Sequence, residues 1–108
     1  MTAPGDSLLR NARVFDGEGF LDACDVRIED GRIAAVGLDL AADAPASDLS
    51  GRRLVPGFID VQVNGGGGVL FNAAPSVEGL RTLAAAHRRF GTTTLLPTLI
   101  SDDWPVMQ

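Results

Sequence analysis

The chain has 108 residues, a length that fits one small domain, although 13 Gly and 6 Pro punctuate it densely enough for two part-structures. All nine of its cationic residues are Arg, set against 14 acidic residues for a net charge of -5, and this balance argues against nucleic acid or an anionic membrane as partner. An apolar content of 45% excludes disorder as a whole-chain description. No apolar run approaches membrane-spanning length and the first residues lack a signal peptide's basic start and apolar centre, so the expectation is a soluble, cytoplasmic protein. Cys24 stands alone, cannot form an internal disulfide, and has Asp22 and Asp25 beside it to disfavour a thiolate; it is expected to be inert.

In chain order, "SLLRNARVFDGEG" predicts a strand that closes in a Gly-rich turn. In "DACDVRIEDGRIAAVG", Val26 and Ile28 alternate with Arg27 and Glu29, Asp30-Gly31 supplies residues that tolerate positive φ, and Ile33 to Val36 returns, which predicts a hairpin. The stretch "LDLAADAPASDLSG" reads as turn and linker. Residues 1–55 are therefore expected to form part of a small antiparallel, β-sandwich-type domain.

From Pro56 the pattern changes to strand, helix, strand. Residues 58–64 alternate strictly, Ile59, Val61 and Val63 on one parity and Asp60, Gln62 and Asn64 on the other. Ser76 is placed to cap a helix through "VEGLRTLAAAHRRF", with Val77, Leu80, Leu83, Ala84, His87 and Phe90 at helical spacings and Gly91 just past the end. "TTTLLPTLI" reads as a buried strand interrupted late by Pro97. Such a β-α-β unit is right-handed in about 98% of cases. "SDDW" has the form of another helix start, with Ser101 as cap. Because a parallel sheet must be covered on both faces, residues 56–108 are expected to begin an α/β layer that is incomplete in itself.

If the polar parity faces an interior, Asn64 lies nearest the mouth and Asp60 deepest, and two amides with an acid in one column require partners, water or a ligand. "NGGGG" after the strand meets neither the Walker A nor the dinucleotide pattern. Two readings stay open for it: a turn whose backbone passes close to something bulky, or a loop whose amides approach a substrate. His87 is the single histidine and is read as a surface or packing residue rather than a catalytic one. With one His and one Cys, the chain offers no ordinary zinc site and no nucleophile triad, so neither catalytic nor metal-ligating residues are assigned.

The segments "LVPGFIDVQVNGGGGVLFN" and "FGTTTLLPTLI" resemble the start of N-acetylglucosamine-6-phosphate deacetylases, within the amidohydrolase superfamily. The resemblance covers essentially the whole chain and is most specific over residues 56–72 and Leu96-Pro97-Thr98. Superfamily members carry Pro-Gly-x-Ile-Asp-x-His-x-His at the end of the first barrel strand; here Gln62 and Asn64 stand at the histidine positions. The resemblance implies a fold that is mixed α and β, residues 56–108 being the first β-α-β unit of an incomplete, truncated TIM-like (β/α)8 barrel. It implies hydrolysis of N-acetylglucosamine 6-phosphate to glucosamine 6-phosphate and acetate, with one divalent metal, zinc by expectation, held by residues outside this chain. Gln62, Asn64, Gly65, Gly66, Gly67 and Gly68 are the expected active-site lining, and Asp60 is expected to be structural. The expected partners are a small amino-sugar phosphate and, at full length, a second copy in a homodimer. The isolated 108 residues are expected to bind no metal and to be inactive. Two alternatives are a dihydroorotase- or hydantoinase-like amidohydrolase, disfavoured by the missing His-x-His, and a non-catalytic β module.

Overall fold

A computed structural model describes residues 5–41 and 43–107. Position 42 of the stretch expected as linker therefore lies outside the described residues. The chain divides into two compact units, Met1–Pro56 and Gly57–Gln108.

The first unit is one five-stranded sheet: β1 (Ser7–Phe15), β2 (Phe20–Glu29), β3 (Arg32–Gly37), β4 (Ala46–Asp48) and β5 (Arg53–Leu54). β1 pairs antiparallel with β2, and β2 antiparallel with β3. The predicted hairpin is present: Glu29 pairs with Arg32 across Asp30 (φ 50°) and Gly31 (φ 71°), the two positive values that a tight two-residue turn demands. Two expectations need correction. The stretch expected as linker supplies β4, and both β4 and β5 run parallel to β1, so the sheet is mixed and single where an antiparallel sandwich was expected. All three residues of β4 are exposed. Backbone pairing holds the segment, Leu8 N–H donating to Pro45 O at 2.9 Å and Leu49 N–H to Arg10 O at 2.9 Å, with one long side-chain bond from Asn11 Nδ2 to Asp48 Oδ1 at 3.5 Å, and side-chain periodicity does not record that kind of strand.

Ala12, Val14, Cys24 and Val26 form the core of this unit, with Leu9, Ile28, Leu49 and Leu54 packed against it. Leu9 and Ala12 differ in parity yet share the core because β1 bulges between them. Leu9 pairs with Val26 and Ala12 with Cys24, so β1 advances three residues while β2 moves two. A second bulge compensates, since Val14 pairs with Leu21. Asn11 (φ 55°) and Ala23 (φ 54°) are the inserted residues. Asp25, only 5% exposed, lies opposite the first bulge, between the β2 partners of Leu9 and Ala12. Its carboxylate accepts from the Arg10 guanidinium (2.8 Å), the Asn11 N–H (3.1 Å) and the Leu40 N–H (3.1 Å). A buried charge is thereby compensated and the distorted ladder's free amide satisfied.

In the second unit, β6 (Phe58–Val63) and β9 (Thr92–Pro97) pair in parallel. They are joined through β7 (Gly65–Gly66), β8 (Val69–Leu70), a 3-10 turn (Phe71–Ala73) and α1 (Val77–Arg88). Ser76 caps α1 as expected, its Oγ accepting from Gly79 N–H at 3.1 Å, with Glu78 in the first turn and His87 and Arg88 in the last. Leu83 is fully buried, and Leu80 and His87 are half-buried. Phe90, expected on the same stripe, is 77% exposed because the helix stops at Arg88. Gly79 is buried where the Ala74 carbonyl occupies the space that a Cβ would need. The strand expected to be buried is exposed at Thr93, Thr94, Leu96 and Pro97, having one partner strand and one helix beside it. A last helix, α2 (Trp104–Met107), starts two residues later than a Ser101 cap predicts, with Val106 N–H donating to Asp103 O. Among the described residues no helix is long and apolar enough to cross a membrane.

Candidate active-site rim at the strand ends

Parallel strands bring their C-terminal ends to one side, where α/β folds place their sites. Here those ends are Val63 and Asn64 of one segment, and Pro97 and Thr98 of the other. Thr98 N–H donates to Val63 O at 2.9 Å, which extends the pairing to the last residues. Val63 is buried at 3% exposure, while Gln62 and Asn64 are exposed and Asp60 half-buried. Ile59 and Val61, on the opposite parity, are 69% and 67% exposed. The alternation thus exists, but the described residues enclose neither face of the strand. Asp60 Oδ1 accepts from Gln62 N–H at 3.1 Å, a local bond that steadies the strand.

The four glycines form an ordered hairpin. Gly65 pairs with Leu70 and Gly66 with Val69, and Gly67 (φ 62°) and Gly68 (φ 79°) make the two-residue turn between them. The hairpin lies against α1. The ring N–H of His87 Nε2 donates to Gly65 O at 2.9 Å. A Cβ on Gly66 would lie 2.8 Å from that nitrogen, and one on Gly67 would lie 3.2 Å from Thr82 Cγ2 and 3.3 Å from Ala86 Cβ. Close approach of backbone to helix accounts for Gly66 and Gly67. The packing role read for His87 takes a specific form, a bond that fixes the base of the hairpin.

Beyond the hairpin, Phe71 N–H donates to Asn64 O at 2.8 Å. Next to it is Asn72, a residue not singled out from the sequence. It is 8% exposed, and its carboxamide donates to Ile100 O (2.7 Å) and Asp102 Oδ2 (3.0 Å) and accepts from Ile100 N–H (2.8 Å). The segments after β6 and β9 are clamped together by this one side chain. The Asn72 amide, with the Asp103 backbone N–H, holds the Asp102 carboxyl below its ordinary value. Asp102, read in the sequence as part of a helix cap, instead serves this clamp. The exact spacing of 28 residues from Asn72 to Ile100 carries no local signal, so only the fold reveals the contact.

Gln62 and Asn64 are neutral carboxamides that can donate and accept hydrogen bonds but cannot take up a proton. Among the described residues no group of three or more His, Cys, Asp or Glu side chains is placed to hold a metal ion. The donor set does not fit a metal centre by itself, and His87 is already committed through Nε2 to a backbone carbonyl.

No family model matches the chain. It is 45% identical over 101 residues to an N-acetylgalactosamine-6-phosphate deacetylase of Shewanella sp. (strain ANA-3), covering 90% of this chain and 26% of the relative. The solved N-acetylglucosamine-6-phosphate deacetylase of Pasteurella multocida superimposes with a TM-score of 0.87 at 32% identity, covering 94% of this chain and 27% of that one. This chain is homologous to the N-terminal part of amino-sugar-6-phosphate deacetylases. It shares the amidohydrolase fold with them and spans about a quarter of the length of these relatives. The Mycobacterium smegmatis deacetylase, solved as a variant in complex with N-acetyl-D-glucosamine-6-phosphate, matches with a TM-score of 0.79 at 32% identity, over 96% of this chain and 27% of its own. A dihydroorotase of Syntrophotalea carbinolica is 48% identical, but over 59 residues, 53% of this chain and 14% of the relative. Another dihydroorotase, of Bacillus thuringiensis (strain Al Hakam), is 36% identical over 95 residues, 83% of this chain and 21% of the relative. Deacetylase and dihydroorotase matches thus both run through most of the chain, and the Shewanella deacetylase stands apart by its higher identity over that span.

Proposed function

We propose that the chain is the N-terminal part of an amidohydrolase that hydrolyses the N-acetyl group of an amino-sugar 6-phosphate, N-acetylglucosamine 6-phosphate by expectation. Water is added across the amide, giving acetate and the free amine. The 45% identity to a deacetylase over nine tenths of the chain carries this reading. That relative is named for the galacto epimer and the two structural neighbours for the gluco epimer, so both belong in the assay.

In this reading residues 1–55 belong to a small β domain, and residues 56–108 open a (β/α)8 barrel with β6 as its first strand and β9 as its second. Gln62 and Asn64 line the pocket mouth, where their amides orient the substrate, and Gly65, Gly66, Gly67 and Gly68 form the ridge beside them. The divalent metal that the amidohydrolase fold implies would be held by residues outside this chain, since those described here do not compose a site for it. A cytoplasmic location, the default reading of the sequence, and the homodimer that the resemblance implies are checked by fractionation and light scattering of the intact protein.

The test of the lining is substitution in the intact protein that carries this stretch. Gln62→Ala and Asn64→Ala are expected to lower kcat/KM by about 10- to 100-fold while leaving the melting transition near wild type, because both side chains are exposed. Wild-type kcat/KM in both variants would remove these residues from the site.

A further inference from the structure

We infer that Asn72 is a positioning residue for the reaction: its buried carboxamide locks the segment after β9 to the segment after the glycine hairpin, so that the two strand ends present one fixed rim to the substrate. The inference rests on the deacetylase reading. Its grounds are geometric. Asn72 uses both ends of its amide, donating to Ile100 O and Asp102 Oδ2 and accepting from Ile100 N–H, at 2.7, 3.0 and 2.8 Å. Its neighbour Phe71 holds the Asn64 carbonyl at 2.8 Å, so the clamp connects through one peptide unit to the exposed Asn64. On the other side of the hairpin, His87 holds Gly65 O. The hairpin is thus fixed to the helix at its base and, through residues 71 and 72, to the segment after the neighbouring strand. A buried amide with all these bonds made has one arrangement, and removing it leaves the Ile100 N–H and C=O without their partner.

A role confined to stability predicts that Asn72 variants melt earlier but turn over normally once folded. A positioning role predicts a change in kcat that depends on the specific pairing with Asp102. In the intact protein, Asn72→Ala is expected to lower kcat by about 10- to 100-fold, with KM changed much less, since displacement of a rim by an ångström costs rate in that range. Asn72→Asp sets a carboxylate against Asp102 and is expected to be at least as damaging. Adding Asp102→Asn to Asn72→Asp restores a carboxamide–carboxylate pair with the roles reversed, and is expected to recover part of the lost kcat. Ser76→Ala serves as the control, because it loosens the cap of α1 without touching the rim; wild-type kcat is expected there. Wild-type kcat in Asn72→Ala, a loss in Asn72→Asp that Asp102→Asn leaves untouched, or an equal loss in Ser76→Ala each overturns the inference. A wild-type protein inert towards both epimers overturns the deacetylase reading and this inference with it, a result distinguishable because it needs no variant.

Discussion

Gly66 shows how one missing methyl group sets local geometry. A Cβ there would lie 2.8 Å from His87 Nε2, the atom that bonds Gly65 O, so Gly66→Ala must either displace the ring or break that bond. We expect a loss of about 1–3 kcal/mol in denaturant unfolding, as for other overpacked positions. Because the clash is with a side chain, His87→Ala on the same background should return part of it, and a double-mutant cycle would expose the coupling. Asp25 makes the opposite case, where a charge is worth keeping buried. Three donors converge on it, and Asp25→Ala strands the Asn11 N–H at a bulge and the Leu40 N–H beyond β3, as well as Arg10. A loss on the order of 3 kcal/mol is expected in the same measurement. Neither role could be read from the sequence. Asp25 follows Cys24 in an ordinary strand pattern, and the bulges that bring Asn11 N–H to it leave no compositional trace.

At the scale of elements, the helix and both tight hairpins follow rules that act within a few residues, which is why α1, its Ser76 cap and the Asp30-Gly31 turn were legible. Gly79 is where the local rule misleads. Exposed helical glycines are usually improved by alanine, by about 1 kcal/mol, but the Ala74 carbonyl fills the space at this one. Gly79→Ala should therefore destabilise, and a thermal melt decides the sign. β4 was missed because its side chains are all exposed and its pairing to β1 is made chiefly by backbone. The clamp between the two strand-end segments has a pH signature. Asn72 holds the Asp102 carboxyl below its ordinary value of 3.8, so the charged form is favoured in the folded state. Its contribution is complete above the unfolded value and disappears as pH falls through the lowered one. The protection factor of the Ile100 amide, taken against intrinsic exchange at each pH, should fall in that acid window in wild type, and that fall should be absent in Asp102→Asn.

For the molecule as a whole, the deacetylase reading makes the exposed apolar side chains the faces that further protein would cover. Ile59 and Val61 on β6, Leu96 on β9 and Trp104 on α2 are each more than half exposed. A parallel pair is stable when helices cover both faces and further strands extend it. The alternation of residues 58–64 was visible from the start, yet it does not say which face becomes interior, and the described residues leave Ile59, Val61, Gln62 and Asn64 exposed. The 108 residues alone are accordingly expected to bind a hydrophobic dye and to self-associate in size-exclusion chromatography. A dye-silent monomer would show that these faces need no cover. In the deacetylase reading the same surfaces receive the rest of a barrel, the glycine hairpin and the Asn72 clamp forming one sector of its rim.

Acetate release by the intact protein tests that reading most directly, with N-acetylglucosamine 6-phosphate, N-acetylgalactosamine 6-phosphate and dihydroorotate offered in parallel. Our account predicts metal-dependent release of acetate from at least one of the two amino-sugar phosphates and no turnover of dihydroorotate. Turnover of dihydroorotate with neither amino-sugar phosphate cleaved would contradict it.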